Sequence, residues 1–224
     1  MDIEGNIKAY LGAREPTDRY ASFDYCFNHF QAYSSLGLAE LASPTGMELS
    51  CLHLGFYLAS WGMLRGSTDL LKRSIKHLAP VVEVIASLSP NVWEIDSHAY
   101  TGEAIQTLRQ TASQLRSAFP EGASDTLVTK IMLGVLGCVP AFDTNFRKGF
   151  GVSTFGPKSL RKIANFYEEN AETIEAHRVR TLDFASGAET DRTYTRAKVI
   201  DMVFFVEGQY STARPKPASG QGVG

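Results

Sequence analysis

Asp143 is the residue whose surroundings point most directly to chemistry. It follows an apolar run, Gly137 and Pro140, and stands where a new helix begins with Thr144-Asn145-Phe146-Arg147. A carboxylate there can accept hydrogen bonds from helix N–H groups, which fixes its direction. Such a group is either a plain helix cap or a carboxylate aimed at a developing positive charge, and the local pattern by itself favours the cap. A second candidate is the segment Ser60-Trp61-Gly62-Met63-Leu64-Arg65-Gly66-Ser67. Trp61 and Arg65 fall four apart at an expected helix end, and the two glycines admit close approach of a backbone or ligand. An aromatic beside a guanidinium can stack a base or hold a phosphate. Core packing with a cap at Gly66 accounts for the same residues.

Other chemistries find little support. The five histidines, His29, His53, His77, His98 and His177, never stand four apart, so a helical zinc-binding pair is absent. His29 and His53 lie among apolar neighbours and read as core histidines with satisfied hydrogen bonds. Cys26, Cys51 and Cys138 each sit in an apolar run with no Cys-x-x-Cys, which points to buried free thiols in a reducing compartment. No glycine-rich phosphate loop and no Gly-x-Ser-x-Gly elbow occurs. Glu168, Glu169, Glu172 and Glu175 form an acidic stripe that a solvated helix face explains. Neither a metal nor a cofactor is expected. A formal net charge of −2 excludes chain-wide attraction to nucleic acid or anionic membrane but leaves room for a local basic patch.

The elements that must carry these residues read as helices. With 44% hydrophobic and 21% charged residues over 224 positions, the chain can bury one full core without staples. Thr17 can cap a helix over Asp18–Tyr33, where Tyr20, Phe23, Phe27 and Phe30 recur at three- and four-residue steps. Pro44–Leu64 is apolar on almost every side and belongs in the middle of the core. Asp69 to Ser87 reads as a helix interrupted at Pro80. Glu103–Phe119 is amphipathic, Ser124 caps Asp125–Leu136, Pro157–Ala176 is one long helix, and a last helix lies near Tyr194–Glu207. No alternating strand pattern stands out, Gly187 to Arg192 being simply polar. The expectation is an all-α, single-domain bundle of seven or eight helices over residues 1–213, with a disordered tail from Arg214 to Gly224. The first ten residues carry Asp2 and Glu4 and no apolar run, and no stretch reaches membrane-spanning length. A cytoplasmic location without membrane contact is expected.

The order Pro120–Gly122, a capped apolar helix, Pro140, then Phe142-Asp143-Thr144-Asn145-Phe146-Arg147 resembles the helix-hairpin-helix DNA glycosylase superfamily. In that family a glycine-rich hairpin starts a helix, and a Val-Asp-Thr-His-Val-like stretch after it carries the catalytic aspartate. The resemblance implies an all-helical fold, DNA as partner, and Asp143 in the catalytic position. The hairpin departs from Leu-Pro-Gly-Val-Gly, reading Phe119-Pro120-Glu121-Gly122-Ala123-Ser124. Where bifunctional members carry a Schiff-base lysine this chain has Asp125, which implies the monofunctional type; Lys130 lies one to two turns later. An enzyme of this kind would stack a flipped base on Trp61 or on an aromatic of the first helix. Arg65, Arg147, Lys148 and Lys158, with Asn145, would hold the substrate and its phosphates. The alternatives are a non-catalytic helical module binding a protein partner, and a nucleic-acid-binding module that kept the fold without the catalysis. A basic groove at Asp143 would favour the enzyme or the nucleic-acid-binding module, an exposed apolar patch elsewhere the module that binds a protein partner.

Overall fold

The structure, a computed structural model, describes residues 1–66 and 69–213. It is mostly α-helical. The helices are α1 Ile3–Leu11, α2 Ala21–Leu36, α3 Pro44–Ser60, α4 Ala79–Ala86, α5 Gly102–Ser117, α6 Asp125–Leu136, α7 Thr144–Phe150, α8 Pro157–Glu169, α9 Ala171–Ala176 and α10 Arg196–Ala213. Short 3₁₀ turns connect several of them. A small antiparallel hairpin, β1 Arg180–Leu182 and β2 Glu189–Thr193, precedes α10. The expected tail falls outside the described residues.

Local signals set several boundaries. Ser124 accepts the Leu127 N–H, and Gly137 ends the same helix in the left-handed conformation at φ +66°, so α6 runs over the expected residues. Ser43 caps α3 by accepting the Gly46 N–H, with Pro44 in the first turn. Thr17 caps nothing: the chain first turns through Glu15 and Asp18, and α2 starts only after Tyr20. Pro80 does not interrupt a helix; it lies in the first turn of α4, where its missing N–H is harmless. The expected helix from Pro157 breaks at Asn170, whose side-chain amide bonds the Phe166 carbonyl at 2.8 Å. With α1 and the hairpin unforeseen, ten α-helices replace the expected seven or eight among the described residues.

One hydrophobic cluster runs through the fold, from Ile7 and Tyr10 of α1 to Val199, Val203 and Phe205 of α10. Each fully buried phenylalanine, such as Phe142 or Phe146, contributes on the order of 2–3 kcal/mol to it. α3 does not lie in the middle of this core. Leu54, Tyr57 and Leu58 are buried, but Leu49, Leu52 and Phe56 on its other face are 47%, 47% and 68% exposed. α7 and α10 cross at backbone contact, because Gly149 abuts the Phe204 carbonyl and Gly208 abuts the Asn145 carbonyl. No helix among the described residues is long and apolar enough to cross a membrane.

Candidate functional site

α5, a turn and α6 form a helical hairpin ahead of the site. Gly122 sits at φ +80° in the turn and donates to the Phe119 carbonyl at 2.9 Å, while Glu121 is ion-paired with Arg73. After α6 the chain enters the loop 137–142, which is buried along its length: Cys138, Val139 and Phe142 have no exposed surface and Ala141 only 5%. Buried loop backbone must find partners inside the protein. Side chains from three directions supply them. Thr195 Oγ1 donates to the Gly137 carbonyl at 2.7 Å, and Tyr100 Oη to the Cys138 carbonyl at 2.5 Å. Asp201 Oδ1 accepts the Ala141 N–H at 2.9 Å. Thr129 Oγ1 accepts the Phe142 N–H at 2.8 Å, and Thr126 Oγ1 donates to the Phe142 carbonyl at 2.9 Å. The residue that follows this clamped loop is Asp143.

Asp143 is the N-cap of α7, its Oδ1 accepting the Phe146 N–H at 3.0 Å. Its Oδ2 accepts from Lys130 Nζ at 3.2 Å, and the same ammonium donates to the Trp61 carbonyl at 3.2 Å. The Lys130 and Asp143 side chains are 5% and 15% exposed. The carboxylate is thus both a cap and half of a nearly buried ion pair, which a cap alone does not need. Lys130 Nζ also lies 5.4 Å from the centre of the Trp61 ring. α6 is apolar around it, and a lysine inside such a run was the sequence signal for this contact.

A second buried pair stands behind the first. Lys198 Nζ bonds Asp201 Oδ2 at 3.2 Å and Tyr10 Oη at 2.8 Å, with side chains 1% and 7% exposed. Burial pushes the Lys198 pKa down and the Asp201 pKa up, and each charge opposes the shift of the other. Through Asp201 this pair holds Ala141, two residues before Asp143. Farther along α2, Asp24 accepts from Tyr194 Oη at 2.5 Å, Arg14 Nε at 2.8 Å and the Leu182 N–H at 3.3 Å, tying the hairpin to the core. Sequence reasoning missed Lys198, Asp201 and Asp24. Lys198 and Asp201 were legible as two opposite charges three apart inside the apolar stretch Ala197–Val206.

The other anticipated residues divide. Trp61 lies one residue past α3, its ring stacked with Tyr20 at 5.2 Å, and Lys130 links its carbonyl to Asp143. Trp61 and Arg65 are not a helical pair, because α3 stops at Ser60. Arg65 is exposed and folds back against Gly62, which sits at φ +74°. Arg147, one turn into α7, reaches the Asp143 carbonyl at 3.4 Å and the Ser153 carbonyl at 3.5 Å. Asn145 is half-buried where α7 meets Gly208. Lys148 and Lys158 are exposed on α7 and in the first turn of α8; Arg65 and Lys158 make no hydrogen bond to Asp143. The three cysteines are free and buried, and burial raises the pKa of the Cys26 and Cys138 thiols. No group of three histidine, cysteine or carboxylate side chains suited to a metal occurs among the described residues.

Neither a family model, nor a curated protein, nor a solved structure matches the chain.

Proposed function

We propose that the chain is an N-glycosidic-bond-cleaving enzyme of DNA-glycosylase type, acting on a flipped base in nucleic acid with Asp143 as its catalytic carboxylate. The supporting observation is the way Asp143 is held. Both carboxylate oxygens are engaged, on the Phe146 N–H and on Lys130, at the end of a loop whose backbone is bound by five side chains. A preorganised negative charge of this kind stabilises an oxocarbenium-like sugar cation with little reorganisation, and can orient the attacking water. Lys130 is a positioning residue that keeps the carboxylate aimed. Arg65, Lys148 and Lys158 take phosphates from their exposed positions, while the half-buried Arg147 and Asn145 of α7 hold the substrate beside Asp143. The reaction is hydrolytic and of the monofunctional type, with the base leaving and an abasic site remaining. The test is incubation with duplexes carrying deaminated, oxidised or alkylated bases, with abasic sites read as alkali-labile breaks. Absence of breaks across the whole panel, for protein that is folded, defeats the reading.

One observation favours a second reading. Leu49, Leu52 and Phe56 recur at helical spacing on the open face of α3 and form an apolar stripe of the kind that docks a partner helix. In a non-catalytic interaction module, Leu52→Glu abolishes partner capture and Asp143→Asn has no effect on it.

A further inference from the structure

The Trp61 and Tyr10 rings lie nearly parallel, with ring centres 6.3 Å apart and 4° between the planes. Tyr20 stacks on both, its centre 5.2 Å from Trp61 and 4.5 Å from Tyr10, tilted 17° and 21°. A ring sandwiched between the other two would hold them roughly 7 Å or more apart, twice the contact distance of stacked carbons. Tyr20 therefore lies across a shared floor. Phe205 closes the side, edge-on to all three rings.

The three rings are not held alike. Tyr10 is buried, and its hydroxyl is bonded to Lys198. Trp61 is tied through its carbonyl to Lys130. Tyr20 comes from the loop between α1 and α2, is half-buried, and its hydroxyl makes no hydrogen bond among the described residues. Ring contacts, stacking and the edge of Phe205, keep the side chain there. The exposed Arg19 sits beside it, its guanidinium 5.2 Å from the Tyr20 ring and 5.5 Å from Trp61.

We propose that the floor of Trp61 and Tyr10 is the seat of the substrate base, and that Tyr20 fills this seat until the base displaces it. The proposal rests on the glycosylase reading and names where the base goes. A planar heteroaromatic ring replaces the phenol ring at the same stacking distance. Arg19 at the mouth takes the phosphate of the attached nucleotide. Lys130 spans the Trp61 carbonyl and the Asp143 carboxylate at 3.2 Å each, so a sugar joined to a base on Trp61 lies towards Asp143. Filling the empty seat with a detachable aromatic keeps water off the floor. A base must then compete with Tyr20, which weakens binding by the fraction of time the seat is open.

In Trp93→Phe protein Trp61 is the sole tryptophan, and its fluorescence reports the seat. The probes are a single-stranded deoxyadenylate tetramer and the same tetramer with all four bases replaced by tetrahydrofuran abasic analogues. The proposal expects saturable quenching by the first and about tenfold weaker quenching by the second. Tyr20→Ala should tighten binding of the first about tenfold, and Tyr20→Leu serves if the alanine variant loses its helical circular dichroism. Equal affinity for both probes, no saturable quenching, or unchanged or weaker binding in the folded Tyr20 variant overturns the proposal. Quenching without base release from any damaged duplex counts against the glycosylase reading and leaves the seat standing. Base release without Trp61 quenching counts against the seat alone.

Discussion

Replacing Lys130 with methionine isolates the ion pair on which Asp143 depends. Methionine nearly conserves the volume and apolar stem, so packing within α6 should survive. The ammonium takes with it two hydrogen bonds at 3.2 Å, to Asp143 Oδ2 and to the Trp61 carbonyl. Breaking a buried pair from one side costs about 3–5 kcal/mol, because an uncompensated charge stays behind. Here Asp143 keeps 15% exposure and its bond to the Phe146 N–H, which places Lys130→Met at the low end, about 3 kcal/mol. Asp143→Asn preserves the cap, so a residue that is only a cap would lose no more than a few tenths of a kcal/mol. Paired with a lysine 5% exposed, it should lose about 2 kcal/mol. The double variant leaves no uncompensated charge and should cost about 2 kcal/mol instead of the sum of about 5, a coupling of about 3 kcal/mol. Urea denaturation of the four proteins, with a common slope, measures this cycle. Single-variant losses that add within about 0.5 kcal/mol would refute the ion pair and the argument built on it.

Three further outcomes follow from the same geometry. Asp143→Asn should slow base release on the order of a hundredfold or more while leaving duplex affinity close to wild type, measured by single-turnover assay and by binding at two salt concentrations. Gly208→Ala drives a methyl into the Asn145 carbonyl, so α7 and α10 must separate; a loss of about 1–3 kcal/mol is expected, and a neutral result by thermal melting would show that the crossing is looser than described. His29 stacks on His53 with ring centres 4.2 Å apart, and burial, then the neighbouring imidazole, lowers the His29 pKa to about 4. The folded state therefore binds fewer protons than the unfolded chain: stability is complete above about pH 6.5 and declines as pH falls towards 4. His29→Gln should flatten the pH dependence of the melting temperature across that window, and an unchanged slope would remove His29 from the account.

Elements with local punctuation were legible in the chain alone. α6 could be read end to end because Ser124 starts it and Gly137 stops it, each a signal carried by a single residue. The aromatic spacing of α2 and the amphipathic stripe of α5 were visible for the same reason: a 3.6-residue period lies in the sequence whatever surrounds it. Asp143 was recognisable as a helix cap on equally local grounds. Everything that depends on residues far apart was decided by the tertiary structure. The hairpin of β1 and β2 is polar and lacks an apolar alternation; it is held by Asp24 and Asn28 of α2, more than a hundred positions away. α10 starts at Arg196 because Asp96 accepts the Arg196 and Ala197 N–H groups, at 2.8 and 2.9 Å, across the fold. The outer face of α3 stays open because its neighbours cover one side of the helix only, which hydrophobicity by itself cannot foresee. The same holds for the site. Asp143, Lys130 and Trp61 meet because α3 and α6 pack closely where Gly134 lies against Tyr57, and a charge inside an apolar helix acquires its partner only when that packing is made.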